Sequence, residues 1–227
     1  MSLQKGKLIV IEGCDGSGKA TQTEKLYKRL LNENYNLKKI EYPNYNSESS
    51  ALVRMYLNGD FGKKPEDVSA YAASTFYAVD RFASYKMEWK KFYENGGIIL
   101  ADRYTTANMI HQASKIDDLE EKNKFLKWLW NFEFDIFRLP VPDCVIFLDM
   151  PPEYSKKLMT KRNNKFTGNA EKDIHERDYE YLVNSYKNAI HIVDKYNWNK
   201  ISCIEGSEIK TVDKIHEDIY DLIKKIL

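Results

Sequence analysis

An apolar run, Leu8-Ile9-Val10-Ile11, passes through Glu12 into the loop Gly13-Cys14-Asp15-Gly16-Ser17-Gly18-Lys19-Ala20-Thr21. This junction restricts the fold more than any other stretch of the chain. Consecutive β-prone apolar residues read as a strand buried on both faces, the pattern of parallel sheets covered by helices. The glycines let backbone N–H groups turn inward around an anion, and Lys19 opens a helix whose N-terminus attracts negative charge. Gly13, Gly18 and Lys19 meet the spacing G-x-x-x-x-G-K, so Gly13 to Thr21 is expected to hold nucleotide phosphates. Ala20 stands where a Ser or Thr hydroxyl would ligate magnesium, and Thr21 lies one residue further on.

Strand-like runs then alternate with helical segments, with no internal repeat or low-complexity linker between them. A helix is expected from Lys19 to about Asn32, a strand over Lys38–Tyr42 stopped by Pro43, and a short helix over Ser47–Asn58 with Leu52, Met55 and Tyr56 on one side, ended by Gly59. A long helix is expected over Val68–Tyr93, and strands over Ile98–Ala101, Cys144–Asp149 and Ile201–Ile204. Further helical stretches are Leu119–Phe137, Pro152–Lys161 and Asp173–Tyr196, and the last helix carries Val212, Ile215, Ile219, Leu222 and Ile226 on one stripe. Five strands separated by helices imply a mostly parallel α/β sheet covered on both faces. In such a sheet ligands bind beyond the carboxyl ends of the strands, where the loops after Ile11, Tyr42, Ala101 and Asp149 converge.

Lys and Arg total 35 against 34 Asp and Glu, so the overall charge argues for neither nucleic acid nor a membrane surface as partner. No apolar run approaches the length of a membrane span, and a cytoplasmic protein is expected. Cys14, Cys144 and Cys203 are scattered, which fits a reducing compartment better than a disulfide framework. Cys14 is read as a small loop residue, not a reactive thiol. His111, His175, His191 and His216 show no metal-ligand spacing and are read as surface or hydrogen-bonded residues.

Three further patterns carry chemistry. Asp102-Arg103-Tyr104 leaves the strand Ile98–Ala101 beside the phosphate loop, where a carboxylate can organise magnesium and a guanidinium can grip a phosphate twice. Tyr77 and Arg81 share a helix face; the pair suits either a flat heterocycle or, more simply, core packing with an ion pair to a nearby acid. Lys156, Lys157, Lys161, Arg162 and Lys165 precede Gly168-Asn169, a combination that fits a cationic lid over transferring phosphates as well as a solvated helix face.

Together these residues resemble the thymidylate kinase family over nearly the whole chain. The family's apolar strand and Glu-Gly-x-Asp-x-x-Gly-Lys-x-Thr-Gln are matched by Leu8–Ile11 and by Glu12, Gly13, Asp15, Gly18, Lys19, Thr21 and Gln22. Its aromatic-Pro element falls on Tyr42-Pro43, its aromatic-x-x-x-Arg helix motif on Tyr77 and Arg81, and its Asp-Arg-Tyr motif on residues 102–104. The resemblance implies a P-loop NTPase fold in one domain over residues 1–227: three α/β/α layers, a five-stranded parallel sheet and a short lid at about 161–172. It implies transfer of the ATP γ-phosphate to dTMP by a magnesium-dependent homodimer, without nucleic acid or membrane as partner. A kinase for another nucleoside monophosphate, or a nucleotide-binding regulatory protein, is the alternative.

Carried over by position, Gly13, Cys14, Asp15, Gly16, Ser17, Gly18, Lys19, Ala20, Thr21 and Arg162 would bind ATP. Asp15, Tyr42, Leu52, Tyr77, Arg81, Arg103, Tyr104 and Asn108 would bind dTMP, and Asp102 would hold magnesium, directly or through water. Lys19, Asp15, Arg103 and Arg162 are the expected catalytic residues. Gly16 stands where some members carry an arginine, so the catalytic cation is expected from the lid, as Arg162 or Lys165. Asn44-Tyr45 replaces an arginine common after the aromatic-Pro element, and Tyr77, with Phe76 beside it, occupies a position that is often Phe.

Overall fold

The computed structural model describes residues 5–159 and 174–227. Strand β1 (Leu8–Glu12) is wholly buried. It leads through the glycine loop to α1 (Lys19–Asn32), capped by Gly18 in the left-handed conformation at φ 86°. After β2 (Leu37–Glu41) comes a 3-10 turn, Glu48–Ser50, capped by the Ser47 hydroxyl, which accepts the Ser49 N–H. The turn runs into α2 (Ala51–Asn58), which Gly59 ends at φ 79°. The expected face of α2 is displaced: Val53, Tyr56 and Leu57 are buried, whereas Leu52 and Met55 are 44% and 41% exposed. A tighter 3-10 entry rotates the apolar stripe relative to a helix begun at Ser47.

The expected long helix is a rod of three pieces, α3 (Ala70–Ser84), a π turn over Tyr85–Trp89, and α4 (Lys90–Glu94). Ser69 fixes its start by accepting the N–H of Ala72. Then come β3 (Ile98–Asp102), α5 (Thr105–His111), which the sequence pattern did not indicate, and α6 (Leu119–Trp130), continued by a π stretch to Ile136. After β4 (Cys144–Asp149) and α7 (Pro152–Met159), α8 (Ile174–Arg177) and α9 (Tyr179–Lys195) are separated because Asp178 caps α9. The last expected strand, Ile201–Ile204, is divided at Cys203. Asn199–Ser202 is β5, and Ile204–Glu205 pairs with Glu208–Ile209 as a hairpin, β6 and β7, before α10 (Val212–Ile223).

The main sheet has the order β2-β3-β1-β4-β5 and is parallel throughout. Ile11 registers with Asp102 on one side and Ile146 on the other. The chain therefore reverses direction across the sheet at β1, which opens a crevice at the carboxyl ends of β1, β3 and β4. Alternation along β1 explains its unbroken apolar run. Ile9 and Ile11 pack with Leu26 and Leu30 of α1 and Ile215, Ile219 and Ile223 of α10. Leu8 and Val10 face the other layer, with Tyr85, Trp89 and Tyr93 of the rod and Phe134. Each such aliphatic side chain contributes roughly 1.5–3 kcal/mol on full burial, so β1 anchors the loop that follows it on both faces. Among the described residues no helix is long and apolar enough to cross a membrane.

Cys14, Cys144 and Cys203 are free thiols inside this core. Burial pushes them up to about 12, 11 and 12 respectively. Raised values mean that thiolate forms only at higher pH, so at pH 8 roughly one thiol in a thousand or fewer is ionised. Treatment of the native protein at pH 8 with an aromatic disulfide reagent is expected to release no chromophore within minutes, and three equivalents after denaturation. One fast equivalent from the native protein would contradict the core placement.

Candidate functional site

The phosphate loop wraps the N-terminus of α1, where no side chain caps the first N–H groups. Those groups and the helix dipole favour an anion there. Lys19 is buried, and its Nζ donates to the carbonyl of Cys14 at 2.9 Å. Burial and then the charge of Arg103 lower the ammonium to about 8, against the pull of Asp15, Asp102 and Glu12. Gly16 has φ 78°, and a Cβ there would stand 2.8 Å from the carbonyl oxygen of Ser155. The packing of α7 against the loop thus explains why this position holds no arginine.

A cavity of about 800 Å³ opens from the loop. Asp15 to Gln22 line one side, Glu41, Asp102 and Arg103 close the sheet end, and Leu158, Met159, Ile209 and Val212 give an apolar wall. Glu41 and Asp102 are register partners at the ends of β2 and β3. Among the described residues no group of three or more His, Cys, Asp or Glu could hold a metal by itself.

Arg103 follows β3 with φ 68°, left-handed for a residue with a Cβ, and its N–H bonds the carbonyl of Ile11 at 3.1 Å. The turn sends the guanidinium back over the loop, where it pairs with Asp15. Burial alone would raise the carboxyl of Asp15, but the charge of Arg103 leads a set of cations that hold it well below the usual range. Arg103 Nη1 also lies 2.9 Å from His111 Nε2 and 3.9 Å from Glu12 Oε2. Glu12 is wholly buried, and its Oε1 accepts the Thr106 hydroxyl at 2.6 Å and the Tyr104 N–H at 3.2 Å. It thereby ties the turn after β3 to β1. Burial raises its carboxyl, partly offset by Arg103.

A narrower cavity shares Asp15, Tyr42, Pro43, Tyr45 and Arg103 with the first. Tyr77 and Arg81 of α3, Tyr104, Asn108, His111 and Gln112 also line it, and Leu57 and His175 close it. Arg81 is fully buried and held by Glu133: Nε donates to Oε2 at 2.7 Å and Nη2 to Oε1 at 2.5 Å. Thr105 Oγ1 adds a donor to Glu133 Oε2 at 2.7 Å. Burial disfavours the guanidinium, yet Glu133 outweighs this and raises its value. Arg81 thus has the acid partner of the core-packing reading, and both Tyr77 and Arg81 line a cavity.

Of the expected site residues, Gly16 to Thr21 and Asp102 line the larger cavity, Tyr77, Arg81, Tyr104 and Asn108 the narrower one, and Asp15, Tyr42 and Arg103 both. Tyr77 lines it rather than its neighbour Phe76, which packs on Phe61 at 5.6 Å between ring centres. Gly13 and Cys14 are buried behind the loop and line neither cavity. Leu52 is replaced by Leu57 for the reason given by the phase of α2. Arg162, Lys165 and the lid lie outside the described residues. Glu133, Gln112, His111 and His175 had no sequence signal as site residues; of the histidines read as surface or hydrogen-bonded, His111 and His175 are buried and hydrogen-bonded, to Arg103 and Tyr56, and His216 is buried.

The family model described as thymidylate kinase matches residues 11–215. A thymidylate kinase of Danio rerio is 23% identical over 227 residues, covering 100% of this chain and 94% of that protein. One of Prochlorococcus marinus (strain NATL2A) is 27% identical over 97% of this chain and 99% of its own length. One of Plasmodium falciparum is 26% identical over 98% and 92%. The solved thymidylate kinase of Candida albicans, with 21% identity and a TM-score of 0.71 over 97% of this chain and 92% of that one, has the same fold. Matched by the family model across both cavities and most of the sheet, this chain belongs to the thymidylate kinase family.

Proposed function

We propose that this chain transfers the γ-phosphoryl group of ATP to dTMP, giving dTDP and ADP, with the two cavities as donor and acceptor sites. The observation that carries the reading is their meeting at Asp15 and Arg103, which lets two phosphorylated ligands face each other across the loop. Family membership supports the choice of nucleotides. ATP phosphates would lie on the N–H groups of residues 15–21, with Lys19 released from Cys14 to neutralise the transferred group and the apolar wall of Leu158, Ile209 and Val212 against the adenine. Thr21 lines this cavity and offers its hydroxyl to a phosphate oxygen.

Asp102, which lines the larger cavity, would hold a magnesium ion together with water and phosphate oxygens, since magnesium seldom uses an all-protein cage. When bound with ATP, magnesium disperses phosphate charge. On the acceptor side Arg103 would clamp the monophosphate and Asp15 would hold the guanidinium in place. Tyr77 would stack on the pyrimidine. Arg81, its fork already fixed by Glu133, would meet an exocyclic oxygen, and Gln112, whose buried Oε1 has no hydrogen-bond partner among the described residues, would accept the imide N–H. Transfer then depends on positioning and charge neutralisation more than on covalent help from the protein.

A homodimer is part of the proposal, supported by apolar side chains left open on the rod and the π stretch after α6: Met87 is 85% exposed, Ile136 63% and Val79 46%. Sedimentation equilibrium should give about twice the 26.7 kDa chain mass, and the mass of one chain would refute the dimer. The reading itself is tested by coupled ADP release with dTMP, dUMP, dGMP and dAMP. The expected result is a clear preference for dTMP with dTDP as product. Preference for a purine would favour a different monophosphate kinase, and ATP binding without any diphosphate product would favour a regulatory nucleotide-binding protein.

A further inference from the structure

The larger cavity is built from two distant parts of the chain. Residues 15–21 form its phosphate half, whereas Ile209, Lys210, Thr211, Val212 and Ile215 enter from β7 and the start of α10. Val212 and Leu158 are 48% and 38% exposed, so this second half offers open apolar surface to a ligand. Gln22, one turn into α1, joins the two halves. Its backbone N–H bonds the Gly18 carbonyl at 3.0 Å, which fixes it to the loop, and its side-chain Nε2 donates to the Val212 carbonyl at 2.9 Å, from 190 residues away in sequence.

Gln22 is only 3% exposed, and its Oε1 is buried with no hydrogen-bond partner among the described residues. Leaving a buried acceptor unmade costs stability, so an apolar side chain of the same size would serve packing better. What the amide adds is its hold on Val212, the first residue of α10. Helix ends fray more readily than helix middles, and little else ties this end to α1. The Thr211 hydroxyl caps α10 by accepting the Lys214 N–H, a bond within its own first turn. The ion pairs Lys25–Asp213 and Arg29–Glu217 lie on exposed side chains, where such pairs contribute little. Leu26 and Leu30 pack with Ile215, Ile219 and Ile223, further along both helices.

We propose that Gln22 is a positioning residue of the donor site, holding the first turn of α10 so that the apolar wall meets the purine base while the triphosphate lies on the loop. The inference rests on the kinase reading above. It divides the paired residues Thr21 and Gln22 between the two halves of one ligand, the hydroxyl turned to phosphate and the amide acting through Val212 on the base.

Two substitutions separate the hydrogen bond from the bulk of the side chain. Gln22→Met keeps length and volume and removes the amide, whereas Gln22→His keeps a donor nitrogen at the ε position. Steady-state kinetics should give KM for ATP raised about fivefold in Gln22→Met, with kcat and KM for dTMP within about twofold, and a smaller rise in Gln22→His. Inorganic tripolyphosphate, competing with ATP at the loop, shows which half of the cavity is affected. Having no base to place, it should inhibit both variants with a constant within about twofold of that for the unaltered enzyme. An unchanged KM for ATP in Gln22→Met would overturn the proposal. In either variant, so would tripolyphosphate weakened as much as ATP, or KM for dTMP raised as much as KM for ATP, the pattern of a purely structural role. Lack of dTMP turnover in the unaltered enzyme would instead overturn the kinase reading beneath it.

Discussion

Arg103 leaves β3 with a left-handed backbone, and this one turn joins the sheet, the phosphate loop and both cavities. An extended residue at that position would carry its side chain onward with the strand; the positive φ instead folds the guanidinium back to Asp15. The strain is held by contacts from three directions. The Arg103 N–H bonds Ile11 of β1, Glu12 grips the next turn through Tyr104 and Thr106, and His111 accepts from Nη1. A residue in a sparsely populated backbone region persists only when its surroundings over-determine it, and here those surroundings include Tyr104 and His111, which line the narrower cavity.

Two arginines line the narrower cavity, and each is matched by an acid, the part-buried Arg103 by Asp15 and the fully buried Arg81 by Glu133. An isolated buried guanidinium would be costly, and breaking a buried pair such as Arg81–Glu133 by removing one partner typically costs about 3–5 kcal/mol. The acids therefore do more than balance charge. They set the orientation of two planar forks before a ligand arrives, which reduces the ordering cost of binding. In the loop, Lys19 is likewise held in place, donating to the Cys14 carbonyl.

Local pattern made half of this site legible. The strand-loop-helix junction, the Asp102-Arg103-Tyr104 strand end and the four-residue spacing of Tyr77 and Arg81 are short-range features, and their side chains do line the two cavities. Glu133 was hidden because its partner lies 52 residues away and it sits in a π stretch rather than on a regular helical stripe. His111 was hidden for another reason: the short α5, Thr-Thr-Ala-Asn-Met-Ile-His, is buried nearly all round and shows no amphipathic period. Leu52 and Leu57 exchanged places through the 3-10 entry to α2, and the two-residue strands β6 and β7, which bring Ile209 to the donor cavity, are too short to carry a periodic signal.

The central claim is that Arg103 is a preorganised clamp for the acceptor, not for the phosphate donor. Equilibrium titration of dTMP and ATP separately into Arg103→Lys measures it most directly, because lysine keeps the charge and loses the planar fork. The account predicts that affinity for dTMP falls at least about tenfold while affinity for ATP stays within about twofold. Equal weakening of both nucleotides, or unchanged dTMP binding, would contradict it.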